Sequence, residues 1–205
     1  MGTAEKKRRV RKVPDYLVKE TIEGQPVYYK GYRDVLNGKK TREDIMADGL
    51  LQWILKSWLT RLLIKGLEEK RYWIGTGEIG SHISHKTNTS HDLAVFEKSN
   101  LTPDQIGNRY ASVPARLVVE VDTEVEFADY PGIDVYVQLK TQKTLDFGTQ
   151  RVIWIFTSTR KIMIAERHQD WVICDWDKPV ELLDGVVFCV ADFLESEGIR
   201  LDDPE

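Results

Sequence analysis

Three side chains in one stretch of this 205-residue chain could do chemistry together: a carboxylate at Asp92, a second at Glu120 and an amine at Lys140. Glu120 is the anomaly. Leu117, Val119 and Val121 alternate with Val118, Glu120 and Asp122, so the segment is apolar on both faces and reads as a strand inside a sheet covered on both sides. A carboxylate there costs several kcal/mol, roughly, unless a positive or hydrogen-bonding group meets it. A metal ion is one such partner and Arg116 is another. Asp92 makes the same case from the entry to the apolar run 93–96, where a turn aspartate is the plainer reading. Tyr136, Lys140, Lys143 and Phe147 follow i, i+4, i+7, i+11 spacing, one helical stripe that sets a lysine between aromatics along a sheet-facing edge. The two acids and the lysine are expected to converge.

The elements that must position them can be taken in order. Residues 16–21 and 27–32 are rich in β-formers and flank Gly24 and Pro26, an antiparallel pair with a turn. Tyr28, Tyr29 and Tyr32 in that pair read as aromatics packing a sheet edge, with base stacking as the functional alternative. Thr41, followed by Glu43 and Asp44, predicts a helix N-cap, and Ile45, Leu51, Leu55, Trp58 and Leu62 carry the apolar stripe on to a stop at Gly66. Residues 72–74 and 79–83 flank Gly-Thr-Gly-Glu and predict a hairpin leading to the Asp92 strand. Glu78 in its turn reads as a turn residue, with a third acidic ligand or a general base as the functional alternatives. His82, His85 and His91 match no standard zinc-ligand spacing and read as solvated loop histidines. Thr102 before Pro103 starts a short helix or loop between the two acid-bearing strands. An acidic loop with Pro131 and Gly132 leads into the lysine helix, Gly148 ends it, and 151–156 is a buried strand, so 120–156 forms a crossover unit. Two further strands follow, and a strand and short helix close the chain.

Composition sets bounds. The content of 41% hydrophobic residues supports one sizeable core over 14–200, between a polar, basic, disordered arm at 1–13 and an acidic tail at 201–205. The net charge of −4 does not favour a nucleic-acid binder, yet Lys7, Arg8, Arg9 and Arg11 cluster in the arm and could grip a polyanion. Cys174 and Cys189 sit in apolar runs and read as buried reduced thiols of a cytoplasmic protein. No run approaches the roughly 18 apolar residues of a membrane span.

The order DLAVF, then P-x-x-LVVEV, then a lysine eight residues before a glycine and VIWIF, resembles the Uma-two family of restriction-endonuclease-like proteins, a branch of the PD-(D/E)XK nuclease superfamily. The opening VKETIEGQPVYYKGYRDVLNG is similar to that family's first hairpin, so the resemblance runs from about Pro14 to Trp176. It implies an α/β (α+β-like) fold: a restriction-endonuclease-like core, its central mixed β-sheet flanked by helices, with N-terminal and C-terminal β-hairpins. It places the family's metal-binding aspartate on Asp92, its glutamate on Glu120 and its helix-borne lysine on Lys140. The Val121 carbonyl joins them as a ligand of Mg2+, with Mn2+ as a substitute, in an endonuclease acting on nucleic acid, DNA ahead of RNA. The chain departs from the pattern twice, with His91 where a proline usually precedes the aspartate and Asp122 where the superfamily has a lysine. Asp122 is thus an additional acidic candidate, and Lys143 an understudy to Lys140. A homodimer is open, since cutting both strands of a duplex commonly takes two sites. The competing expectations are a nuclease-like domain that binds nucleic acid or protein without cleaving, and an interaction module using the tyrosines.

Overall fold

The computed structural model describes residues 13–122, 125–126 and 132–201. The basic arm with Lys7, Arg8, Arg9 and Arg11, most of the acidic loop before the lysine helix, and the tail beyond residue 201 lie outside the described residues.

After a 3-10 turn at Asp15–Leu17 come β1 (Val18–Ile22), β2 (Gln25–Tyr29), α1 (Tyr32–Leu36), a 3-10 turn at Glu43–Ile45 and α2 (Leu50–Gly66). Then follow β3 (Tyr72–Ser84), β4 (Thr87–Glu97), a 3-10 turn at Pro103–Gln105, β5 (Leu117–Val121) and β6 (Val125–Glu126). The chain continues through α3 (Ile133–Phe147), β7 (Arg151–Phe156), β8 (Lys161–Glu166), β9 (Val172–Asp175), β10 (Val180–Leu183), β11 (Val186–Phe188) and α4 (Val190–Ser196). The main sheet has the order β6-β2-β1-β4-β5-β7-β8-β9, with β3 paired to β4, and β10 and β11 form a separate hairpin. Among the described strand pairs only β5 and β7 run parallel, because α3 crosses between them. This is the mixed sheet flanked by helices that the sequence pattern implies.

Both faces of the sheet are covered, which is why β5 is apolar on both sides. On one face Leu55, Leu59 and Leu63 of α2 pack with Leu93, Val95, Leu117, Val119 and Val121 and with the β10–β11 and α4 region. Each such leucine contributes on the order of 1.5–3 kcal/mol of burial. On the other face Tyr136, Val137 and Leu145 of α3 meet Ala94, Phe96, Val118, Val152 and Trp154. Gly148 ends α3 at φ 127°, and a Cβ there would sit 2.9 Å from Pro114 Cγ, so a larger residue is excluded twice.

Several local expectations are corrected. Thr41 and Asp44 do exchange hydrogen bonds, Thr41 N to Asp44 Oδ2 at 2.7 Å and Asp44 N to Thr41 Oγ1 at 3.3 Å, but these tie together only the approach to the 3-10 turn, whose N-cap position is Arg42. The long helix starts later, behind the extended Gly49. The predicted hairpin at 72–83 is one long strand, because Gly77 (φ 86°) and Glu78 (φ 51°) form a bulge between Thr76 and Ile79 that leaves pairing with β4 intact on either side. Tyr28, Tyr29 and Tyr32 are buried, with Tyr28 and Tyr32 stacked 4.5 Å apart, so they are no exposed interaction surface. Cys174 and Cys189 are free thiols, but half-buried.

Candidate active site

The site lies at a fork in the sheet. β3 lines one edge of β4; the other edge is shared by β1, which joins at Asn88, and β5, which joins at Leu93–Val95. Residues 89–92 lie between these junctions, where side chains complete the backbone hydrogen bonding. Ser90 N–H donates to Glu20 Oε2 at 3.0 Å, and Val121 N–H donates to Asp92 Oδ2 at 2.8 Å. Asp92 is therefore a buried strand residue and not a turn aspartate.

Glu120, 4% exposed, does not pair with Arg116, which faces Glu97 and Asp184. Its Oε1 instead meets Lys140 Nζ at 3.0 Å and His91 Nδ1 at 2.8 Å. Because a carboxylate only accepts, His91 Nδ1 carries the proton, and in the neutral ring Nε2 accepts from Thr89 Oγ1 at 3.2 Å. His91 is thus a buried ring that fixes the carboxylate, correcting the loop reading; His82 and His85 are exposed, His82 bonded to Asn88 and His85 in the turn between β3 and β4. Lys140 is 3% exposed and reaches three acceptors: the Ser90 carbonyl at 2.7 Å, Glu120 Oε1 at 3.0 Å and Glu20 Oε2 at 3.4 Å. An ammonium has three protons, so all are directed. The rings of Tyr136 and Trp154 flank it at 5.8 and 5.4 Å, and Tyr136 OH donates to Glu20 Oε1. A second buried amine comes from α2, where Lys56 Nζ lies 3.3 Å from Asp92 Oδ1, and Gln52 Nε2 donates to the Val121 carbonyl at 2.8 Å.

Electrostatics split the two acids. Burial alone would raise the Glu120 carboxyl, but Lys140 and His91 outweigh it and hold it down at about 2. Burial, then the charge of Glu120, pushes the Asp92 carboxyl above its ordinary value. Burial works to neutralise Lys140, yet Glu120 and Glu20 prevail and hold it charged. Asp92 and Asp48 do the same for Lys56. Within this network the carboxyl groups of Asp48, Asp92, Glu20 and Glu120 face two amines, so acids outnumber cations, and of the four acids Asp48 is the one that reaches toward solvent.

The structure thus brings Asp92, Glu120, Val121 and Lys140 together, and leaves the other candidates apart. Lys143 pairs with Glu23 at 2.5 Å on the outer side of α3. Glu78 faces Lys19 at 3.6 Å and accepts from Tyr29 OH at 3.3 Å. Asp122 (φ 63°) turns away to accept from Thr157 N and Thr157 Oγ1, both at 2.6 Å. Asp122→Ala is accordingly expected to lose about 1–3 kcal/mol in urea denaturation, two hydrogen bonds plus a strained φ. A loss below about 0.5 kcal/mol would show that the Thr157 contacts do not hold the turn. Sequence reasoning placed Tyr136 beside Lys140 but missed Glu20, Gln52 and Lys56, although Gln52 and Lys56 do interrupt the leucine stripe of α2 at buried positions.

The fold is an α+β architecture, a mixed sheet flanked by helices, with two acids at the sheet fork and a lysine on the crossover helix. In the solved structures it is similar to "a putative nuclease belonging to DUF820" from Anabaena variabilis ATCC 29413, with a TM-score of 0.63, 15% sequence identity and coverage of 86% of this chain and 89% of that one. No family model and no curated protein matches the sequence. Among the described residues no helix is long and apolar enough to cross a membrane.

Proposed function

We propose that this chain is a divalent-metal-dependent endonuclease that hydrolyses phosphodiester bonds of nucleic acid, DNA ahead of RNA. The observation that carries the reading is the buried convergence of Asp92, Glu120 and the Val121 carbonyl beside an ammonium, with an excess of carboxylates. The likeness of fold to the Anabaena protein supports it.

The donor set fits Mg2+. Every candidate ligand atom is a hard oxygen, and Mg2+ is commonly held by one or two carboxylates with water completing the octahedron. Among the described residues no three His, Cys, Asp or Glu side chains gather as a metal cage, so the ion would rest on two carboxylates, a backbone carbonyl and water. When bound, the ion would neutralise charge on the scissile phosphate and acidify water at the site. The chain's own residues do the rest. His91 and Lys140 fix one Glu120 oxygen and leave the other to turn toward a ligand. Asp92 is braced by the Val121 amide, which presents the Val121 carbonyl from the same peptide segment. Lys140 adds a permanent positive charge where negative charge grows on the phosphate. The basic cluster at Lys7, Arg8, Arg9 and Arg11 would add salt-dependent grip on the polymer.

A second reading, binding without cleavage, draws on the full engagement of Lys140, whose protons all meet acceptors already. The test is to incubate supercoiled plasmid, single-stranded DNA and RNA with the protein in Mg2+, Mn2+ or chelator. Cleavage of DNA that needs the metal is the expected result. Salt-sensitive binding with every polymer intact would favour the second reading.

A further inference from the structure

On the sheet-facing stripe of α2 two polar residues, Gln52 and Lys56, stand one helical turn apart among Leu55, Leu59 and Leu63. Both are buried, at 5% and 9% exposure, so each needs a partner. The partners are two of the oxygens assigned above to the metal. Gln52 Nε2 donates to the Val121 carbonyl at 2.8 Å, and Lys56 Nζ lies 3.3 Å from Asp92 Oδ1. Asp92 Oδ2 is already engaged by the Val121 amide, so Oδ1, the oxygen Lys56 faces, is the one free to turn to an ion. Lys56 also has a second carboxylate, Asp48 Oδ2 at 2.5 Å, on a side chain 31% exposed at the rim.

We propose that Lys56 and Gln52 are positioning residues that make a divalent cation compete with an ammonium for Asp92, with Asp48 receiving the ammonium when the cation wins. The proposal rests on the reading of Asp92, Glu120 and Val121 as metal ligands. Two cations on one carboxylate oxygen repel, so Lys56 keeps the site weak; its hold on Asp48 lets it yield without losing every partner. The site would then fill where further negative charge, such as a substrate phosphate, arrives with the metal.

The test is Mg2+ titration by calorimetry, with polymer absent. Lys56→Met is expected to bind Mg2+ at least about tenfold more tightly than wild type, as removal of one unit charge a few ångströms away implies. Lys56→Arg should remain near wild type, and Asp48→Asn should bind more weakly because the ammonium loses its alternative. A residue that merely braced Asp92 would give the opposite sign for Lys56→Met. Equal or weaker binding by a folded Lys56→Met, in a protein whose wild type binds Mg2+, overturns this proposal alone. Absence of Mg2+ binding in wild type and every variant overturns it together with the metal reading. Should Lys56→Met fail to fold, Gln52→Leu and Asp48→Asn decide, with severalfold tighter and weaker binding expected respectively, and no change in either overturning the proposal.

Discussion

Glu120→Gln is expected to abolish metal-dependent cleavage, by at least about a thousandfold, and to weaken Mg2+ binding in a protein that still folds. The glutamine keeps the shape of the side chain and can still accept from His91 and Lys140, but it removes the charge that draws a cation to the fork. Retained cleavage in this variant would remove Glu120 from the centre. The same variant carries a signature in acid. Glu120 titrates at about 2 when folded, below its ordinary 4.5. Its ionised form therefore stabilises the fold above about pH 4.5, and that contribution, about 3 kcal/mol at most, is lost as pH falls toward 2. The urea midpoint of wild type should drop more between pH 6 and pH 3 than that of Glu120→Gln. Parallel curves would show that the Lys140 and His91 contacts are not what holds Glu120 ionised.

Lys140→Met should lose both catalysis and stability. Removing the amine leaves Glu20 and Glu120, each 4% exposed, facing one another without it, and breaking a buried pair in this way costs about 3–5 kcal/mol. Cleavage should fall by about a hundredfold to a thousandfold through loss of the fixed charge. Lys140→Arg should restore little, because a planar guanidinium cannot direct single donors to the Ser90 carbonyl, Glu120 and Glu20 as an ammonium does. Mg2+ supplies part of the missing positive charge, so it should raise the thermal midpoint of Lys140→Met more than that of wild type. A variant as stable as wild type without metal would contradict the buried Glu20–Lys140–Glu120 network.

What could be read from sequence was whatever had local grammar. Glu120 stood out because a charge in a doubly apolar strand breaks a period of two, and Lys140 because it fell between aromatics on a helical stripe. Glu20 has no such frame. It occupies a short strand bordered by polar neighbours, and its meaning comes from Tyr136 and Lys140, more than a hundred residues on. Gln52 and Lys56 did break the α2 stripe, but polar residues in a long helix are ordinary until the oxygens opposite are known. The Gly-Thr-Gly-Glu stretch reads as a turn by composition; β4 runs straight past it, and pairing on both sides turns those residues into a bulge. His91 was misread for a related reason, since the strand begins at Thr87, four residues before it, and not at the apolar run.

The fork in the sheet has an evolutionary corollary. Asp92 and Glu20 each accept a backbone N–H that no neighbouring strand takes up, so they splice the sheet together where β1 and β5 part company. A lineage that abandoned the reaction would still feel selection to keep them, because discarding either leaves a main-chain donor stranded in the interior. Retention of Asp92 in a descendant is therefore poor testimony that the descendant still cuts. Glu120 is the better witness, because the bonds it accepts come from the side chains of His91 and Lys140 and its replacement strands no main-chain donor.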